Sequence, residues 1–223
     1  MITFKDGPQF FISHSHYDHF ADAPYLMRKF PAATLYGSTT TCQILLALEP
    51  SAKCVDFARL DSQGGIEVEG VHVKIIPSLH SFMGQDKKIP FAGHLDSPPQ
   101  IPLKVKEYLE GGTSMFYFQA PDLDFLFQGT ANFIEKQLWP LHPKVMTLAM
   151  MGSTNVDRYT ERLLGIVRPE TVIYTHFDNF SLPYSFGVVP IDKNFYESFD
   201  RELKNWGPSL KVITPSFFEE LDF

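Results

Sequence analysis

Three histidines and a carboxylate fall within six consecutive positions, His14-Ser15-His16-Tyr17-Asp18-His19. Phe10, Phe11 and Ile12 just before them form a short apolar run behind Gly7-Pro8, which predicts a buried strand. Alternate side chains of an extended chain share a side, so His14 and His16 project the same way from the strand's end. Imidazoles so placed suit a metal ion with bonds of about 2.0–2.1 Å. Asp18 and His19 follow where the chain must turn, and can face a second ion beside the first. A chance polar turn is the plain alternative. A pattern this dense directly after an apolar strand favours the metal.

These residues resemble the signature of the metallo-β-lactamase superfamily, in the branch written Ser-His-Ser-His-Tyr-Asp-His that includes ascorbate-phosphate lactonase and related lactonase and phosphodiesterase proteins. The resemblance implies an α/β fold, an αβ/βα four-layer sandwich of two mixed β-sheets with helices on the outer faces and metals at the sheet ends. It implies His14 and His16 on one ion, and Asp18 and His19 on the other. It further implies another His after a later strand and a last His near the C-terminus. The family has several strands before this motif, but only thirteen residues precede His14. The N-terminal strands are therefore expected to be reduced or missing.

The elements that must position these groups can be read in order. Spacing predicts a helix over 21–30 with Pro24 in its first turn, a strand over 33–36, and a helix capped by Ser38 and running to Leu48. Cys54–Leu60 reads as a strand, and Gly64-Gly65 turns the chain into strands at Ile66–Val68 and Val71–Ile76. His80 follows that strand after Pro77-Ser78-Leu79, as the resemblance requires, whereas His72 alternates within it and reads as a packing or surface residue. A Pro- and Gly-rich stretch over 81–102 reads as a lid or binding loop. His94 and Asp96 lie in it within possible reach of substrate or metal, although a solvated-loop role is favoured. A hairpin of Met115–Gln119 and Asp124–Gln128 runs into Gly129-Thr130. The family places a bridging Asp at this turn, so Thr130 is a departure, and Asn132 is no assumed substitute.

Beyond it, Ile134–Leu138 reads as a helix, Val145–Met150 as a strand, Val156–Val167 as a helix and Thr171–Thr175 as a strand. That strand delivers His176-Phe177-Asp178-Asn179-Phe180, supplying the last His. Asp178 reads as a partner orienting a histidine. Tyr184, Ser185 and Asn179 could contact substrate, with a loop-stabilising role preferred. His142 sits between prolines as a turn residue. A helix over Asp192–Trp206 and a strand at Leu210–Ile213 close the chain.

Composition narrows the partners. The chain has 223 residues, 44% of them hydrophobic, enough for a single domain over 1–223 with halves of roughly 1–120 and 121–223. No apolar run approaches the roughly 20 residues of a membrane span. A net charge of −7 without a basic cluster argues against nucleic acid and for a small-molecule substrate. Met1–Asp6 shows no apolar signal segment, and Cys42 and Cys54 read as buried thiols in a reducing compartment, with pairing or metal binding left open. A cytoplasmic protein is expected.

The site so assembled has His14, His16 and His80 around one ion and Asp18, His19 and His176 around another. Nitrogen and oxygen donors without thiolate suit zinc, one or two ions, with manganese, iron or nickel open. The expected chemistry is that of a metal-dependent hydrolase, using a metal-bound hydroxide on a small ester, lactone, amide or phosphodiester. Asp18 would orient that hydroxide and accept its proton. The alternative is a non-hydrolytic metal-binding or regulatory module, weakened at its second metal because Thr130 stands where the bridging Asp is expected.

Overall fold

A computed structural model describes residues 7–60, 65–207 and 209–223. The reading of Met1–Asp6 and the Gly64 half of the predicted turn lie outside the described residues. The first half alternates strand and helix: β1 (Gln9–Phe11), α1 (Tyr17–Phe20), α2 (Ala23–Lys29), β2 (Thr34–Gly37), α3 (Thr39–Leu48) and β3 (Lys53–Asp56). Pro24 sits at the start of α2, and Ser38 caps α3 by accepting from the Thr41 amide at 3.2 Å. The predicted strand over Cys54–Leu60 stops early. The Asp56 carboxylate takes the Ala58 amide at 2.9 Å and starts a 3-10 turn, Phe57–Arg59.

The remainder supplies β4 (Ile66–Val68), β5 (Val71–Pro77), β6 (Ser114–Ala120), β7 (Leu123–Phe127), α4 (Glu135–Leu138), β8 (Val145–Ala149), α5 (Tyr159–Val167), β9 (Thr171–Thr175), α6 (Lys193–Lys204) and β10 (Lys211–Ile213). The helix predicted from Val156 begins only at Tyr159, because Arg158 just before it is left-handed, with φ +42°. Among the described residues, no helix is long and apolar enough to cross a membrane.

Two sheets result. β1, β2 and β3 form a three-stranded sheet in that order, parallel throughout. The other has seven strands in the order β10-β9-β8-β7-β6-β5-β4, antiparallel from β4 to β7 and parallel from β7 to β10. The expected mixed character therefore belongs to the larger sheet, and the reduced sheet is the smaller one.

Period-two alternation decides which way each face turns. On β6 and β7, Met115, Tyr117 and Leu126 join a core with Leu163, Leu164, Phe199 and Leu203 of α5 and α6. Their neighbours Phe116 and Phe118 point the other way and meet Phe11 of β1, each with ring centroids 5.3 Å away. These phenylalanines fill the space between the sheets. A second core packs Leu35 of β2 against Ala23 and Met27 of α2 and Ile44 and Leu45 of α3. Helix, sheet, sheet, helix is the layer order that results. β8 is buried along its whole length, as a central strand covered on both faces must be.

Cys42 of α3 and Cys54 of β3 form a disulfide, which corrects the reading of both as free thiols. The pairing also removes the cysteine argument for a reducing compartment. The bridge ties α3 to the sheet beneath it across a separation of 12 residues. Reducing it, or replacing both cysteines by Ala, is expected to lower unfolding free energy by about 3 kcal/mol, read as a lower urea midpoint. An unchanged midpoint would mean that the bridge does not form in solution.

Candidate metal centre

Ligands of open α/β sheets gather at the carboxyl ends of strands, and this molecule follows that rule. His14 and His16 lie just beyond the end of β1, His80 three residues past β5, and His176 immediately after β9. Asp18 and His19 are carried back over the same rim by the single turn of α1. His14, His16 and His80 present ring nitrogens within 4.8 Å of one another, and all three are buried. Asp18, His19 and His176 form a second such group, nearer to solvent. The groups abut through His14 and His19, whose ring centroids are 4.0 Å apart.

Hydrogen bonds fix which nitrogen of the first group is free. His16 Nε2 donates to the Pro90 carbonyl at 2.9 Å, leaving Nδ1 without a proton. His80 Nδ1 donates to the Ser81 carbonyl at 2.7 Å, leaving Nε2. His14 Nδ1 meets Ser13 Oγ at 3.0 Å, and its Nε2 is buried with no partner among the described residues. A buried ring nitrogen left unpaired costs free energy, so its retention points to something that takes its lone pair. The donor set therefore fits a cation held through His14 Nε2, His16 Nδ1 and His80 Nε2.

In the second group Asp18 Oδ2 lies 3.3 Å from His19 Nε2 and 3.2 Å from His176 Nε2. His176 Nδ1 is likewise buried and unpartnered. His176 adopts φ +54°, a left-handed conformation uncommon for a side-chain-bearing residue and held only where the surroundings enforce it. Convergence of Asp18 Oδ2 with His19 Nε2 and His176 Nε2 suits a cation at this group as well.

Electrostatics agree with neutral imidazoles. Burial pushes His14 well below the ordinary histidine range, with its imidazole neighbours adding to the effect. Burial likewise lowers His16, and it lowers His80 to about 4. Metal then meets ligands with no proton to displace at neutral pH. For Asp18 desolvation acts upward, but hydrogen bonds from His176 and His19 outweigh it and hold the carboxyl well below the usual range. Unfolded, His80 takes a proton below 6.5, and folded only below about 4. Metal-free protein is thus expected to lose stability as pH falls from 6.5 to 4, by about 3 kcal/mol from this residue. Urea unfolding in chelator at neutral and acid pH measures it; stability that rises on acidification would contradict the buried neutral state.

The other predicted positions fare differently. Thr130 is buried, but its hydroxyl accepts from the Ser81 amide at 3.1 Å and donates to Ser81 Oγ at 3.0 Å. Asn132 spends its amide nitrogen on the His80 carbonyl at 3.0 Å and its oxygen on the Phe133 amide at 2.9 Å. Gly129 beside them touches Ser13: a Cβ there would lie 2.4 Å from Ser13 Oγ, so no side chain fits. His94 is exposed, pairs with Asp96 at 3.6 Å and lines a cavity of about 500 Å³ whose walls contain none of the six clustered residues. The Tyr184 ring packs on Phe217 and Phe218 of the C-terminal segment. Asp178 makes a backbone bridge to Pro190, and the groups that orient the imidazoles are instead Ser13, Pro90 and Ser81. Two of these three act through carbonyls, which any residue type supplies.

Two facing sheets, outer helices and a histidine cluster at the strand ends make this the metallo-β-lactamase fold. Among solved structures it is similar to the metallo-β-lactamase fold protein YhfI from Bacillus subtilis, at TM-score 0.55 and 10% identity over 94% of this chain and 75% of that one. It is also similar to the isothiocyanate hydrolase from Delia radicum gut bacteria, at TM-score 0.55 and 15% identity over 96% and 75%. A third is the Zn(2+)-bound PqqB from Methylobacterium extorquens, at TM-score 0.51 and 12% identity over 96% and 73%. At these identities the likeness is one of fold. The sequence matches no protein-family model and no curated protein.

Proposed function

We propose that the protein is a metal-dependent hydrolase of small ester, lactone, amide or phosphodiester substrates. In this reading His14, His16 and His80 hold one ion, and Asp18, His19 and His176 a second. The observation that carries it is the buried Nε2 of His14, without a partner among the described residues, in a cluster of three converging ring nitrogens. Zinc suits five imidazoles and one carboxylate, with manganese, iron and nickel compatible. Bound there, it would supply Lewis acidity toward a carbonyl or phosphoryl oxygen and a nucleophile from water near neutral pH.

The chain's own groups do the rest. Ser13, Pro90 and Ser81 hold the three buried rings in the tautomers that expose their free nitrogens. Asp18 meets both histidines through Oδ2, which leaves Oδ1 to accept a proton from an attacking water. Phe91, 47% exposed, sets its ring 6.2 Å from that of His16, and Tyr17 beside His16 is 44% exposed. An apolar flank of this kind favours a substrate with an acyl or aryl part over a purely ionic one.

A second reading, a metal-binding module without turnover, is favoured by Thr130, whose hydroxyl is already committed to Ser81. A panel of lactones, aryl esters, amides and phosphodiesters, assayed with zinc-loaded protein, separates the two. The hydrolase predicts turnover of at least one class that disappears in His80→Ala. Full metal loading with no turnover across the panel would leave the module.

A further inference from the structure

We propose that Glu110 is a positioning residue for the first histidine cluster, fixing all three rings through one turn. This rests on the reading of that cluster as a metal site. Nothing in the local sequence announces Glu110, which is distant along the chain from every histidine it serves.

The connections run outward from its backbone and side chain. The Glu110 carbonyl accepts from Ser15 N at 3.1 Å, the Ser15 hydroxyl donates to the adjoining Leu109 carbonyl at 2.8 Å, and Ser15 lies between His14 and His16. The Glu110 amide donates to the Phe91 carbonyl at 2.9 Å. Phe91 follows Pro90, the acceptor that orients His16. The carboxylate takes the Gly112 amide at 2.9 Å and the Thr113 hydroxyl at 2.5 Å. Thr113 in turn accepts from Ser78 N at 2.9 Å, two residues before His80.

Gly111 and Gly112 have φ of +71° and +90°, so the turn closes only with glycine, and the carboxylate is what ties it shut. The fit is close: a Cβ on Gly111 would lie 2.7 Å from Ser15 Oγ.

Zinc affinity of the intact protein, measured by competition with a chromophoric chelator, tests this with Glu110→Gln and Thr113→Val. Glu110→Gln keeps the shape and one acceptor oxygen but loses the second acceptor with which the carboxylate closes the turn. It is expected to keep the wild-type urea midpoint while weakening the tighter zinc site about 10- to 100-fold, the range for groups that support a ligand. Thr113→Val is expected to weaken it several-fold through the turn alone. A purely structural anchor would lower the midpoint and leave affinity in the folded protein unmoved. Wild-type affinity in both variants, with His80→Ala still abolishing binding, would overturn the role of Glu110 while the metal reading stands. Should Glu110→Gln fail to fold, wild-type affinity in Thr113→Val overturns it equally. No zinc bound by the wild-type protein would defeat the metal reading itself, and this proposal with it.

Discussion

His14→Ala is expected to remove the tighter metal and to lower turnover by on the order of a thousandfold or more, while the metal-free protein keeps its fold. The first part follows from geometry. His14 is fully buried, its Nε2 has no partner among the described residues, and it stands where the two clusters touch. Lewis-acid stabilisation amounts to several kcal/mol, and each 1.36 kcal/mol is a factor of ten in rate. The second part is less intuitive. Truncating a buried side chain ordinarily costs stability through the void it leaves. Here the ring removed carries one nitrogen, Nε2, whose burial without a partner was itself unfavourable. The two effects oppose each other, so the urea midpoint in chelator should move little. Metal content, turnover and chelated unfolding on the same preparation check all three. A large drop in metal-free stability with metal retained would recast His14 as a core residue.

Thr130→Asp is expected to act in opposite directions with and without metal. In metal-free protein the new carboxylate replaces a hydroxyl pair with Ser81 in a buried position. An uncompensated buried charge costs about 3–5 kcal/mol, so the variant should be markedly less stable in chelator. Added zinc should recover that loss and more, because the resemblance places the bridging carboxylate at this turn, where it would tighten the weaker position. Ligand binding raises stability by RT ln(1 + [L]/Kd), so the rise in melting temperature with zinc should be steeper than in wild type. Equal zinc content and equal thermal shifts in both proteins would show that Thr130 does not occupy the bridging position.

What the sequence made legible was what local pattern controls. His14 to His19, His80 and His176 each follow a strand that hydrophobic periodicity marks, and strand ends on one rim bring them together. Thr171–Thr175 and the hairpin ahead of Thr130 were visible for the same reason. The helix boundary at Tyr159 was not, because it depends on a left-handed Arg158 that no propensity signals. Cys42 and Cys54 lie in different elements, and their pairing depends on how α3 packs on β3. The partners of the imidazoles were hidden more deeply. Pro90 and Ser81 act through backbone carbonyls, and Glu110 through a turn assembled from residues far apart in the chain. His94 and Tyr184 looked eligible by their loops, yet their contacts are with Asp96 and with Phe217 and Phe218.

The decisive measurement is X-ray absorption at the zinc edge on protein loaded with one equivalent and then two. The first equivalent should show imidazole nitrogens at about 2.0–2.1 Å and no sulfur near 2.3 Å, with that signal lost in His80→Ala. The second should add nitrogen and oxygen scattering that depends on His176. A sulfur shell, or a zinc environment indifferent to both histidines, would place the metal elsewhere and contradict the two-cluster site.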